Sequence, residues 1–269
     1  MSNTTPPPKP STALNDFVTG LKSRLWWELS VHDIKARYRR TVLGPWWITL
    51  GTGIALTGIG VVWSTIFGVD LEDLFPYLTS GYVIWMMLAS FLAEGCATFT
   101  NASSANLQRN FVLPKSVHVF RQTSRTIMAF FHNIIIFIIA AIIFKTDINM
   151  FTLLIIPSLF MLALTGIWMN TVLGILGARY RDLEPLITAL LTFIFLATPI
   201  IWRVEMLGER KFLADMNPVT HYIAILRDPL LGLPPSPLSW GVVGAISIVG
   251  FGLAFLFHSR YRNRLVFWL

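Results

Sequence analysis

The sequence has few of the residues on which disulfide-bonded, metal-binding and soluble proteins depend. Cys96 is the one cysteine in 269 residues, so no intrachain disulfide can form. The five histidines are scattered along the chain and indicate no metal cluster. Charged residues make up 13% of the chain, against roughly 25% in soluble domains, and hydrophobic residues make up 54%. This composition predicts a protein that crosses a membrane several times.

Two chemical signatures are also missing. No G-x-x-x-x-G-K-[ST] sequence occurs, so the chain cannot hold nucleotide phosphates in a P-loop, and ATP-driven work requires a partner. Glu94 is the sole acidic residue within the hydrophobic runs, which leaves no pair of carboxylates for acid–base catalysis. An integral membrane glycosyltransferase is therefore the weaker alternative. A passive channel is another, and it would conduct without an ATPase.

Six hydrophobic runs predict six transmembrane helices in an all-α membrane domain, residues 41–269. They lie at residues 46–69, 75–99, 126–144, 151–177, 186–201 and 238–257. The first has no charged residue over 24 positions, enough to span a bilayer core of about 30 Å at ~1.5 Å per residue. Six crossings place both termini on one side.

The distribution of basic residues predicts which side that is. Sixteen lysines and arginines lie in the segments on the side of the termini, and five lie on the opposite side. Cytoplasmic segments carry the excess of positive charge, so we predict cytoplasmic N and C termini. Because these charges cluster beside hydrophobic runs, as topology signals do, the net charge of +7 does not indicate nucleic-acid binding.

The N-terminal 40 residues are predicted to form a tail followed by a helix on the membrane surface. Residues 1–13 are polar and Pro-rich, which predicts a disordered cytoplasmic tail. Residues 14–40 are predicted to be an amphipathic interfacial helix, with packing on a soluble partner as the alternative. Its apolar positions share one side: Leu14, Phe17, Val18, Leu21, Leu25 and Leu29.

The chain is predicted to turn into the membrane at Gly44-Pro45. Proline suits the first turn of a helix, and tryptophan suits the headgroup layer. The interfacial residues and those at the turn into the membrane are Trp26, Trp27, Arg37, Tyr38, Arg39, Arg40, Pro45 and Trp46.

Two polar features interrupt the hydrophobic pattern. Glu94 and His132 lie at similar predicted depths in the second and third runs, about 8–9 Å from the inner boundary. We interpret them as a structural pair, with a proton relay as the alternative. Residues 202–237 contain apolar pieces too short to cross, separated at Asn217-Pro218 and later prolines. Half-helices that dip into the outer leaflet fit that pattern, and so does an external loop.

Three stretches together resemble one family. DIKARYRRTVLGPWW at residues 33–47 is followed by ARYRDLEPLITALLTFIFLATPIIW at residues 178–202 and NPVTHYIAILRDPLLG at residues 217–232. They are similar to the permeases of type-2 ATP-binding-cassette exporters for lipid-linked polysaccharide, the O-antigen, capsule and teichoic-acid exporters. Such a chain is not an enzyme. A type-2 exporter of drugs or unmodified lipids is the close alternative.

The resemblance implies partners and a location. Two permease copies would pair with two ATPase subunits, which would bind ATP and Mg²⁺, while this chain needs no cofactor or metal of its own. The other partners would be a lipid-linked glycan and membrane lipids, in the bacterial inner membrane. It also implies re-entrant gate helices at residues 202–232, with Pro199, Trp202, Asn217 and Pro218 at the gate.

Coupling to the ATPase would then occur through cytoplasmic loops. The best candidate is the basic segment 106–125, whose apolar residues would be costly to expose to water. A solvated loop that only fixes topology is the alternative. The coupling residues would be Arg109, Phe111, Leu113, Pro114, Lys115, Arg121 and Arg181. Because sugar rings pack on aromatic side chains, candidates for the substrate path are Tyr82, Trp85, Phe91, Trp168 and Phe193.

Overall fold

The computed structural model describes residues 12–268, and the elements within that range are helical. The α-helices are α1 (Ala13–Lys22), α2 (Leu25–Tyr38), α3 (Trp46–Phe67), α4 (Leu71–Cys96), α5 (Ala102–Asn110), α6 (Ser116–Ile143), α7 (Ile155–Arg179), α8 (Leu183–Ala197), α9 (Phe212–Asp215), α10 (Pro218–Leu230), α11 (Pro237–Tyr261) and α12 (Leu265–Trp268). Two 3-10 segments, Met150–Leu154 and Val204–Lys211, precede α7 and α9. The predicted all-α class is confirmed. The predicted tail lies outside the described residues except for its last two positions, and Ala13 already belongs to α1.

Among the described residues, five helices are long and apolar enough to cross a membrane, namely α3, α4, α6, α7 with its preceding 3-10 turn, and α11. Helix α8 is apolar but has 15 residues, or about 22 Å. Most boundaries lie within a few residues of the predicted ones. The large difference is α6, which begins at Ser116, ten residues before the predicted span.

The segment from Arg181 to Pro199, which contains α8, nevertheless extends along α4 from one end of the bundle to the other. Arg181 and Glu184, at its start, line the same cavity as Cys96, the last residue of α4. The carbonyl of Pro199, just after α8, accepts a hydrogen bond from Tyr77 near the start of α4. Tyr77 and Cys96 are 19 positions apart in α4, or about 28 Å. The five long helices and the segment 181–199 that contains α8 therefore connect the two ends of the bundle.

Helix α4 is the central element and the most buried of the long helices. It packs on α6, α7, α8 and α10, and its Val83, Ile84 and Phe91 belong to the main hydrophobic core. Close packing on α7 depends on glycine, because a Cβ at Gly177 would collide with the backbone carbonyl of Cys96. Helix α3, by contrast, is mostly exposed.

The segment predicted as one interfacial helix is two helices. Helix α1 ends at Lys22, and the Ser23 hydroxyl accepts a hydrogen bond from the Leu25 amide as α2 begins. In α1 the face formed by Ala13, Asp16 and Gly20 is buried against the bundle, while Leu14 and Leu21 are exposed. Four residues of the predicted stripe, Leu14, Val18, Leu21 and Leu25, thus point away from the protein, whereas Phe17 packs on the bundle against Phe120 and His258.

Asp16 in α1 lies beside His258 at the end of α11, with the carboxylate oxygen 3.0 Å from Nε2. Helices α1, α2, α5 and α12 therefore share one end of the bundle, which we call the α1 end. The opposite end, which holds Tyr77, Pro199 and Arg227, is the far end.

Candidate functional site

The α1 end presents an exposed apolar tip between α5 and α6. The Asn101 side chain accepts a hydrogen bond from the Ser104 amide and starts α5. Residues 111–114 then run outside any helix, as expected before a proline, and α6 begins at Ser116. At the tip, Phe111 is 60% exposed and Val112 is 96% exposed. Apolar side chains presented to water in this way are typical of a protein-binding surface.

The predicted coupling residues divide into two groups. Arg109 and Arg181, on α5 and just before α8, line one cavity of about 470 Å³ with Trp268 of α12. Phe111 lies at the exposed tip, and Leu113, Pro114 and Lys115 are half-buried behind it. Arg121 lies elsewhere, in the buried part of α6.

Arg121 is 4% exposed, so its assignment to a partner-binding surface is corrected. Its Nε donates to Asp33 Oδ2 at 2.7 Å and its Nη2 donates to Asp33 Oδ1 at 2.5 Å, a bidentate ion pair with α2. Nη2 also donates to the Ser103 hydroxyl of α5 at 2.7 Å. The prediction failed because residues 116–125 are helical, so that Arg121, Val117 and Phe120 face inward instead of lining a loop.

The predicted pair of Glu94 and His132 is also corrected. Glu94 Oε2 accepts hydrogen bonds from Arg125 at 2.8 Å and from Gln122 at 3.1 Å. His132 Nδ1 lies 2.9 Å from the Met128 carbonyl oxygen, and its ring packs against the Trp46 ring in a T-shaped arrangement. Because α6 begins ten residues earlier than predicted, His132 lies deeper along it than we counted. The residues that face Glu94 therefore come from a more N-terminal part of α6.

The residues predicted at the turn into the membrane lie around the junction of α2 and α3. Gly44 has φ +58°, a left-handed conformation that glycine tolerates, and Pro45 then starts α3. Trp46 is exposed beside Pro45, as are Trp27 on α2 and three arginines, Arg37, Arg39 and Arg40. Tyr38 ends α2, and Trp26 donates its indole N–H to the Leu21 carbonyl at 3.2 Å.

At the far end, the four predicted gate residues lie in one cluster. Asn217 donates through Nδ2 to the Thr198 hydroxyl at 2.9 Å, and its Oδ1 accepts from the Val219 amide at 3.0 Å. The same side chain therefore joins the end of α8 to the start of α10, where Pro218 is the first residue. Trp202 donates its indole N–H to the Leu196 carbonyl at 3.1 Å.

The two parts of the predicted re-entrant segment differ. Helix α10 is buried along most of its 13 residues and packs on α4, α7 and α11. The preceding 3-10 segment and α9 are exposed, including the apolar Phe212, Leu213 and Met216. A single buried half-helix therefore occupies the far end, with an exposed segment leading to it.

Sequence reasoning missed the residues that hold this end together. Arg227 is 5% exposed, donates from Nη1 to the Pro199 carbonyl at 2.7 Å, and lies 4.1 Å from the centre of the Tyr77 ring. The Tyr77 hydroxyl donates to the carbonyls of Pro199 at 3.2 Å and Trp202 at 3.3 Å. The available signal was an arginine within the apolar run of α10, since buried cations require specific partners.

The aromatic candidates for a substrate path do not share one surface. Phe91 is fully buried, and its ring occupies the space beside Gly166. Trp168 packs on Gly250, whereas Tyr82 and Trp85 both pack on Phe195. Phe193 is exposed on α8. Their role in transport stays a prediction. Within residues 12–268, no group of three or more metal-ligating side chains is found.

Comparison with known proteins connects this arrangement with transport. The family described as "ABC-2 type transporter" matches residues 24–231. The chain is also similar to a protein of Klebsiella pneumoniae named "O-antigen export system permease protein RfbA", with 21% identity over 237 residues, or 86% of this chain and 90% of that protein. The family match includes α2, the exposed tip and the far-end cluster.

Proposed function

This chain belongs to the ABC-2 type transporter family, and on that premise we propose that it is the membrane subunit of an ATP-driven exporter of a lipid-linked polysaccharide. The printed name of the Klebsiella protein supports a substrate of the O-antigen type. The chain itself would hydrolyse nothing. ATP and Mg²⁺ would bind to two copies of a separate ATPase, paired with two copies of this chain in the bacterial inner membrane.

The observation that carries the proposal is the tip at Phe111 and Val112. It is exposed, apolar and connected to the buried helix α6, whose Arg121 is held by Asp33 on α2. A force applied at the tip would therefore reach several helices. A partner must supply that force, because the sequence has no P-loop.

We place the α1 end in the cytoplasm. Its described segments carry fifteen of the 21 lysines and arginines, and cytoplasmic segments carry such an excess. The contact between Asp16 and His258 brings the N-terminal helix and the end of α11 to the same end, which supports cytoplasmic positions for both termini. The exposed Leu14 and Leu21 of α1 would then contact the inner leaflet.

We assign the far end as the external closure of the pathway. Buried α10 and the turn after α8 meet there through Asn217, Arg227 and Tyr77. A half-helix buried within protein can lie at membrane depth, since its backbone groups are satisfied internally. Opening would require the α8–α10 contacts to separate from α4.

The test is reconstitution of the chain in proteoliposomes with a candidate P-loop ATPase and a fluorescent lipid-linked oligosaccharide. We expect the ATPase to co-purify, and we expect ATP-dependent transfer of the sugar to the face where glycosidase can cleave it. Transfer of plain phospholipid or drug, but not of the sugar lipid, would identify an exporter of the alternative class. Conduction without the ATPase would contradict an ATP-driven exporter.

A further inference from the structure

Asp16 on α1 is a carboxylate whose partners lie far away in the sequence. Its side chain is 7% exposed. Oδ1 accepts from the Lys115 amide at 3.2 Å and Oδ2 from the Ser116 amide at 3.0 Å. The Ser116 hydroxyl in turn donates to the Asp16 backbone carbonyl at 2.7 Å. Three hydrogen bonds therefore join one residue of α1 to the start of α6.

These bonds occupy a position that is usually filled by a local cap. The first amides of a helix have no partner within the helix, and a carboxylate there also interacts favourably with the helix dipole. Lys115, at the N-cap position of α6, makes no side-chain capping bond. Asp16 supplies the missing cap from a helix about 100 positions earlier in the chain.

Two further contacts fix Asp16 in place. His258 Nε2 of α11 lies 3.0 Å from Oδ2, and the Phe17 ring packs on the His258 ring with 4.7 Å between centroids. One turn along α1, Gly20 lies so close to Ser116 that a Cβ at this position would collide with the serine hydroxyl. Helices α1, α6 and α11 therefore meet at a single buried carboxylate.

The same group lies directly behind the exposed tip. Lys115 is three residues after Val112, and residues 111–115 have no regular secondary structure to hold them. The bonds from Asp16 to Lys115 and Ser116 thus attach the C-terminal side of the tip to the bundle, while α5 attaches its N-terminal side through Ser103 and Arg121. Helix α1 precedes residue 24, where the family match begins, so Asp16 lies outside the matched region, whereas Lys115 and Ser116 lie within it.

We propose that Asp16 is a positioning residue, through which the surface helix α1 holds the Phe111–Val112 tip in the orientation that a partner ATPase binds. Contact at the tip would then move α1, α6 and α11 together. The part that concerns the ATPase rests on the proposed function, whereas the ordering of the tip by Asp16 does not.

The test uses a spin label on a cysteine at Val112, in the full chain with Cys96→Ser, reconstituted in lipid nanodiscs. We expect Asp16→Ala to shorten the rotational correlation time of the label at least twofold. Asp16→Asn should restore slow motion in part, since its one side-chain oxygen can still accept a hydrogen bond from one of the two amides. The matched control is Asn15→Ala, at an exposed neighbouring position of α1. Equal label motion in Asp16→Ala and Asn15→Ala would overturn the proposal.

Two additional measurements keep the result interpretable. If Asp16→Ala does not fold, Ser116→Ala removes one of the three bonds and keeps both amides capped, so a smaller increase in label motion is expected. No increase in that variant would count against the proposal. With the ATPase present, Asp16→Ala should raise its dissociation constant about tenfold, the equivalent of losing one helix cap. If the wild-type chain binds no ATPase, the proposed function fails and the result for the tip still stands.

Discussion

Replacing Tyr77 of α4 tests the external closure, because its side chain contacts both the turn after α8 and helix α10. These are the two elements that would have to separate from α4. Its hydroxyl donates to the carbonyls of Pro199 and Trp202, and its ring lies 4.1 Å from the Arg227 guanidinium carbon. Tyr77→Phe removes the hydroxyl and keeps the ring. Tyr77→Leu removes both and leaves Arg227 buried without an aromatic partner.

The expected effects follow from these contacts. The hydroxyl proton, shared between two carbonyls, stabilises the closed state by about 0.5–1.5 kcal/mol. Tyr77→Phe should therefore raise the population of the open state roughly 2- to 10-fold. The buried cation–π contact between Arg227 and the Tyr77 ring stabilises the closed state by about 2 kcal/mol more. Tyr77→Leu should therefore raise the open population by about 60- to 300-fold, provided that opening separates these groups.

The assay is labelling of a buried cysteine by a membrane-impermeant maleimide. Ile200 is fully buried beside the cluster, so Ile200→Cys in a Cys96→Ser background should react only when the far end opens. Its labelling rate should rise in the order wild type, Tyr77→Phe, Tyr77→Leu. Tyr180→Leu, at an exposed tyrosine of the α1 end, is the control and should leave the rate unchanged. Equal rates in all four proteins would refute the assignment of this cluster as the closure.

Three further predictions concern the α1 end. Val112→Asp should weaken co-purification of the ATPase at least tenfold and leave thermal stability unchanged, because the side chain is almost wholly exposed. Asp33→Leu should destabilise the folded chain by about 3–5 kcal/mol, and Arg121→Met should destabilise it less, because Arg125 still lies 3.8 Å from Asp33. The double variant should recover most of the loss in a thermal-unfolding cycle, since the buried Arg121 charge and its partner are then removed together. Burial raises the pKa of Asp16, but the hydrogen bonds from His258 and Ser116 together lower it by more than burial raises it. The net pKa lies below the usual 3.8. The wild-type chain should accordingly be more stable than Asp16→Asn above pH 3.8, the usual pKa of aspartate. This difference in unfolding free energy should disappear as the pH falls through the lowered pKa of Asp16.

The sequence alone determined which parts of the chain are buried in the membrane or in the protein core. Runs without charge predicted the long helices to within a few residues at most boundaries, because burial in a membrane or a core requires an unbroken apolar surface. Gly44-Pro45 predicted the turn before α3 correctly, since the conformational limits of glycine and proline act within a residue or two. The family resemblance needed only such local patterns.

The tertiary structure decided which polar residues meet. Arg121 and Asp33 lie 88 positions apart, and Asp16 and Ser116 lie 100 apart, so no local pattern connects them. Glu94 was assigned to His132 because depth was counted from a helix start that is ten residues too late. Ten residues correspond to about 15 Å along a helix, so Gln122 and Arg125 lie at the depth of Glu94 instead. Hydropathy indicates that a residue is buried, but the partner of a buried charge depends on the relative register of two packed helices, which only their combined side-chain packing establishes.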